Sequence, residues 1–181
     1  MGTLCLALVL LAISSVSAGG YKVVKVCDGD TIAVQKGAVT MTVDLAGIDA
    51  PELGSNPLTP GQPYAQEALY FLKKRLLNKQ VALVIHNKIP EEPLAATILL
   101  NGRNINVEMV RQGLAEVCLD QRLAGIGAEA LLSAQEEARS AGLGIWSLGD
   151  DYVRPKAWRQ KTRERCAWAT LLYILVKERK K

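Results

Sequence analysis

Four carboxylates stand on two short polar turns of this chain: Asp28 and Asp30 in Asp28-Gly29-Asp30-Thr31, and Asp49 and Glu52 in Asp49-Ala50-Pro51-Glu52. Oxygens of this kind, gathered in one place, are what a hard cation binds. A carboxylate within hydrogen-bond reach of a water can also orient or deprotonate it. The same residues have a plainer use, because Asp-Gly-Asp is an ordinary hairpin turn and Asp-Ala-Pro-Glu an ordinary loop. Taken singly, the two motifs leave both uses open. The single histidine, His86, excludes chemistry built on paired histidines, and no Cys/His cluster has zinc-site spacing. A second group of interest is Arg154-Pro155-x-x-Trp158-Arg159, with Lys156 inside it. Cations interleaved with an aromatic suit a phosphate backbone and a stacked base, and equally a solvated extension.

The acidic turns can meet only if strands carry them together. Tyr21 to Cys27 alternates as a strand does, the Asp28 to Asp30 turn follows, and Thr31 to Gln35 resumes the alternation. Lys36-Gly37 turns the chain into Val39 to Ile48, rich in β-branched residues, as the third strand of a meander. Asp49 to Pro63 holds four prolines and no period, so it reads as an exposed loop. A helix is predicted over Tyr64 to Leu77, with Ala65, Leu69, Leu72 and Leu76 on one face. Two further strands, Gln80 to Ile85 and Leu94 to Leu100, lead to the Asn101-Gly102 turn. Helices over Asn104 to Gln112 and Ala128 to Ala141 close at Gly113 and Gly142. Five strands in a curled meander, too few for a sandwich, predict an α+β fold: a small five-stranded OB-type β-barrel with about three helices.

The two acidic turns are followed in order by Tyr64-x-Gln66-Glu67-Ala68, by Asn106-x-x-Met109-Val110-Arg111-Gln112-Gly113-Leu114-Ala115, and by Ala138-Arg139 and Gly144-Ile145-Trp146. In this sequence of blocks the chain resembles the staphylococcal nuclease (thermonuclease) family over about residues 21 to 150. The resemblance implies an OB barrel and calcium-dependent hydrolysis of phosphodiester bonds in DNA or RNA. It also implies calcium ligands at Asp30, Asp49 and the backbone carbonyl of Ala50, with Asp28 close behind, and Glu52 as the candidate general base. Threonine is the residue expected where Ala50 stands.

The family pattern also includes two arginines that neutralise the phosphoryl oxygens in the transition state. The first position, five residues before Asp49, holds Asp44, and the second holds Pro93 or Glu92. Arginine-type stabilisation of phosphoryl transfer is worth roughly a thousand- to a hundred-thousandfold. Asp44 also adds negative charge where a phosphate would sit. Two readings follow. One is a degenerate nuclease that binds cation or nucleic acid with weak or no hydrolysis. The other is an active metal-dependent endonuclease in which a cation of the tail, from Arg154, Lys156 or Arg159, reaches over the site, with Trp158 beside it.

Residues 1–18 carry no charge and run through an apolar stretch to Val16-Ser17-Ala18, a secretory signal pattern with the mature start near Gly19. The absence of Lys or Arg before the apolar stretch leaves an uncleaved anchor as the alternative. Either way the chain is expected to be exported: periplasmic, secreted or membrane-associated. The nuclease-like domain is expected over 19–150 and a basic tail over 151–181. Residues 19–150 hold twelve Lys/Arg against fifteen Asp/Glu, and 151–181 hold ten against three, so attraction for phosphate must come from the tail. Cys27, Cys118 and Cys166 remain beyond the signal, and their spacing does not choose a disulfide pair. Cys166 to Val176 is apolar and too short to span a bilayer. It is read as an interfacial helix or as a segment packing on the barrel or a partner.

Overall fold

A computed structural model describes residues 20–55, 59–86, 94–119 and 127–178. Three strands open the chain: β1 (Tyr21–Val26), β2 (Thr31–Lys36) and β3 (Val39–Leu45). After α1 (Ala65–Leu76) come β5 (Gln80–Ile85) and β6 (Leu94–Leu100). These five run in the order β3-β2-β1-β5-β6, and β3 pairs in parallel with β6 to close the barrel. Alternation places Val23, Ile32, Val34, Val43, Leu83 and Ile98 inside, where burying each apolar side chain is worth about 1.5–3 kcal/mol. The expected barrel is therefore present. The expected third strand is split: β3 ends at Leu45, Gly47 turns the chain at φ 80, and a two-residue β4 (Ile48–Asp49) follows.

Short elements complete the rim. β7 (Arg103–Asn104) leads into α2 (Ile105–Arg111), and β8 (Glu116–Val117) pairs with β4 so that Asp49 faces Glu116. Asn104 caps α2 by accepting from the Val107 N–H, 3.2 Å. Asn106, 1% exposed, accepts from the Ile98 N–H (3.0 Å) and donates to the Ala46 and Ala96 carbonyls (2.9 and 3.1 Å). That side chain ties α2 to the barrel just before β4. α3 (Ala128–Ser140) packs on α2, and a 3-10 segment (Gly144–Asp151) leads to α4 (Pro155–Glu178).

Two differences from expectation concern helices. The buried stripe of α1 is Ala65, Ala68, Leu72 and Leu76, with Ala68 where Leu69 was expected. The reason lies in the first acidic turn: a Cβ on Gly29 would come within 2.7 Å of Ala50 Cβ and 2.8 Å of Ala68 Cβ, so the turn lies flat against the helix and only a small residue fits beneath it. The second difference is α4. The basic tail is helical from Pro155 to Glu178, a fourth helix that contains the segment Cys166 to Val176, for which a helix was one of the expectations, and begins eleven residues before it. Among the described residues no helix is long and apolar enough to cross a membrane.

Candidate functional site

The first turn is held by its own side chains. Asp28 Oδ1 accepts from the N–H groups of Asp30 (3.1 Å) and Thr31 (2.7 Å), which fixes the loop between β1 and β2. Asp30 Oδ2 accepts from the Ala50 N–H at 2.6 Å, joining the first acidic turn to the second. The Thr31 hydroxyl donates to Asp44 Oδ1 at 3.1 Å, from the position opposite Asp44 in the β2/β3 ladder. Asp44 therefore belongs to the same cluster as Asp28 and Asp30. Burial, and then the charge of Asp28, hold the Asp30 carboxyl well above its ordinary value, against the Ala50 hydrogen bond. Burial likewise raises Asp44, with Thr31 opposing and Asp28 adding to the rise. A cavity of about 190 Å³ opens here between Cys27, Asp28, Asp30, Ala50 and Glu52.

A cation enters from the tail. Arg159, on the second turn of α4, grips Asp49 with both ends of its guanidinium: Nη1 to Oδ1 and Nη2 to Oδ2, each 2.9 Å. Nη1 also donates to Glu52 Oε1. The hydrogen bond to Asp49 holds Arg159 protonated, above even its ordinary value. The planar fork of arginine makes this two-point grip possible where lysine would offer a point charge. Asp49 is only 7% exposed, so its partner matters more than in a surface pair.

The same helix entry is fastened at three other points. Arg154 Nε donates to Glu116 Oε1 and Oε2 (2.9 and 3.0 Å), and the Tyr152 hydroxyl donates to Glu116 Oε2 at 3.0 Å. Burial, reinforced by Glu116, raises the Tyr152 hydroxyl far above its ordinary value, so it remains a donor. Gln62 accepts from the Glu52 N–H (3.2 Å) and donates to the Val153 carbonyl, and the Trp158 indole donates to the Pro60 carbonyl at 3.3 Å. Asp49 and Glu116, like charges facing each other across β4/β8, are thus each answered by a tail arginine.

Asp28, Asp30, Asp49, Ala50 and Glu52 do come together around the second turn, with Asp44 beside them. Pro93 lies outside the described residues, as do residues 1–19. Of the four tail residues expected at nucleic acid, Arg154 is engaged by Glu116 and Arg159 by Asp49 and Glu52, Trp158 is half-buried against the 59–60 loop, and Lys156 is exposed. Gln62, Glu116 and Tyr152 were not singled out from the sequence. Cys27 and Cys118 are free thiols, and burial, then Asp49 and Glu116, raise the Cys118 thiol. His86 is half-buried and hydrogen-bonded to the Thr97 hydroxyl at 2.9 Å, where desolvation lowers its basicity.

Calcium needs six to eight oxygens with room to converge. Both Asp49 oxygens face the Arg159 guanidinium, and Asp30 Oδ2 faces the Ala50 N–H. Among the described residues no three His, Cys, Asp or Glu side chains form a group that could hold a metal ion. In this arrangement the donor set does not fit a divalent cation.

The family model described as staphylococcal nuclease homologue matches residues 42–148, from β3 through Asp49 and Glu52 to the 3-10 segment. This chain is a member of the staphylococcal nuclease family. A thermonuclease of Staphylococcus hyicus is 34% identical over 130 residues, which cover 70% of this chain and 75% of that protein. An uncharacterised endonuclease of Haemophilus influenzae is 32% identical over 143 residues, 78% of this chain and 74% of its own. A probable endonuclease of the fungus Colletotrichum graminicola is 35% identical over 134 residues, 69% of this chain and 48% of that one. The chain thus spans about half the length of this fungal relative and about three quarters of the two bacterial ones. The family match ends at residue 148, so the helix that brings Arg159 to the staphylococcal nuclease carboxylates stands beyond it.

Proposed function

We propose that this nuclease-type domain engages nucleic acid with weak or no phosphodiester hydrolysis, because its carboxylate site is closed by its own arginine. The observation that carries the reading is the two-point contact of Arg159 with Asp49, extended to Glu52. Glu52, the candidate general base, has Oε1 taken by the Arg159 guanidinium, at the place where a water to be activated would have to approach. Asp44 supports the same reading. Phosphoryl transfer needs cations aimed at the phosphate oxygens, and Asp44 and its hydrogen-bonded partner Thr31 offer none. Export belongs to this reading through the signal pattern at residues 1–18.

One observation favours a second reading. Arg159 is a cation already beside Asp49 and Glu52, so a guanidinium that turned from carboxylate to phosphate would supply one of the missing charges. Cleavage of single-stranded DNA, with calcium and with chelator, separates the two. The expected result is no cleavage by the parent chain above that of Glu52→Gln. Calcium-dependent cleavage by the parent, lost in both Glu52→Gln and Arg159→Ala, would sink the first reading in favour of an active enzyme with its arginine in the tail.

A further inference from the structure

Sharing Glu52 and Leu53 with the acidic cavity lies a groove of about 230 Å³ that the proposed function does not use. Its walls are Leu53 and Pro60 from the loop after β4 and Trp158 and Arg163 from α4, with Glu52 and Arg159 at its inner edge. The volume decides what class of occupant fits. It falls below the ~300–1,000 Å³ of pockets that enclose a whole ligand, so the groove takes a single ring with the remainder of the molecule outside.

Its lining is divided in chemistry. The indole of Trp158 and the apolar Leu53 and Pro60 are one part of it, and the Trp158 Nε1–H bond to the Pro60 carbonyl sets the ring against the loop while leaving it half-exposed. Arg163, also in the lining, stands one turn beyond Arg159 and, among the described residues, has neither an ion-pair nor a hydrogen-bond partner. Lys156, exposed, precedes Arg159 by one turn along the same edge of the helix. An aromatic platform next to an uncommitted guanidinium is the arrangement that holds a base by stacking and the adjoining phosphate by charge.

We infer that this groove is a stacking subsite for one nucleotide of a single-stranded nucleic acid, with the base on Trp158 and the adjoining phosphate on Arg163. The inference deepens the proposed function and rests on it, since it gives the strand a place to be held that is separate from the carboxylates. A duplex offers no unstacked base, so the subsite selects single strands.

Fluorescence anisotropy of a labelled oligothymidylate, titrated with the full chain in chelator, tests it. Trp158→Ala weakens binding by about fivefold to a hundredfold, the range for losing one base–aromatic stack. Trp158→Phe, which keeps a ring but not the Pro60 bond, retains most of the affinity. Arg163→Gln weakens binding and lowers the slope of log affinity against log salt by about 0.7, the value for one phosphate contact on a single strand. Thermal melts identify any variant that has failed to fold, and Trp158→Leu, which keeps apolar bulk without an aromatic face and is expected to weaken binding as Trp158→Ala does, then carries the comparison. Wild-type affinity in Trp158→Ala overturns the subsite and leaves the proposed function standing. Loss in Arg163→Gln without loss in Trp158→Ala also overturns it, since that is a general polyanion surface. No binding by the wild-type chain at low salt removes the nucleic-acid reading itself, and the subsite with it.

Discussion

The two hollows that share Glu52 and Leu53 are made in opposite ways. The acidic one joins turns that lie near each other in the chain, Asp30 meeting Ala50 across 20 residues. Asp28 bonds the N–H groups two and three residues ahead, and Thr31 faces Asp44 across a hairpin. The groove is assembled from distant parts: Trp158 meets Pro60 across 98 residues and Arg159 meets Glu52 across 107. A hairpin turn forms whenever its strands pair, whereas the groove exists only while α4 is docked. The difference separates two properties that a nuclease site normally combines. Negative charge is concentrated by the barrel, and positive charge is delivered by a helix that can be removed without touching the barrel's hydrogen bonds.

Breaking the link should have the largest effect. Arg159→Ala leaves Asp49 buried without its partner, which costs about 3–5 kcal/mol for a fully buried pair. Arg159 is 38% exposed, so about 2 kcal/mol is expected. Asp49→Asn made in the Arg159→Ala background should recover most of that loss in a denaturant-melt cycle. Additive losses would mean that the two regions are not coupled through this pair. Arg154→Ala should be milder, about 1 kcal/mol, because Glu116 keeps the Tyr152 hydroxyl. A loss equal to that of Arg159→Ala would place the main fastening at Glu116 instead.

The smallest effect lies wholly within the acidic side. Asp44 has a raised folded pKa, so the fold favours its protonated form. The stability it contributes is complete below its ordinary value of 3.8 and is lost as pH rises through the raised folded value. Asp44→Asn should therefore stabilise the chain near neutral pH by about 0.5 kcal/mol, a figure kept small because the carboxylate is only half-buried and water screens it. The gain should vanish below pH 3.8. A gain that persists in acid would assign it to packing rather than to charge.

The local half of this comparison was legible in the sequence because alternation and turn residues act over a few positions. The barrel strands, the helix closing at Gly113 and the meeting of Asp28, Asp30, Asp49 and Glu52 all follow from such signals. The non-local half was legible only as a list of candidates. Arg154, Trp158 and Arg159 stand out as cations and an aromatic, but nothing in their spacing says that Arg154 meets Glu116 while Arg159 meets Asp49. Glu116 lies in a two-residue strand and Gln62 in a proline-rich loop, and neither leaves a periodic trace. Ala68 replaces Leu69 in the buried stripe because of a turn forty residues earlier, a constraint that a helical wheel does not contain.

The two-residue ladder between β4 and β8 has a further consequence. It holds Asp49 and Glu116 face to face at 7% and 4% exposure, and their counter-charges arrive five residues apart on one helix entry. A chain cut after residue 150 would keep every barrel strand and yet leave two neighbouring anions facing each other with neither counter-charge. Judged by hydrophobic core, the folding unit is finished before the tail begins; judged by electroneutrality, it is finished only at Arg159.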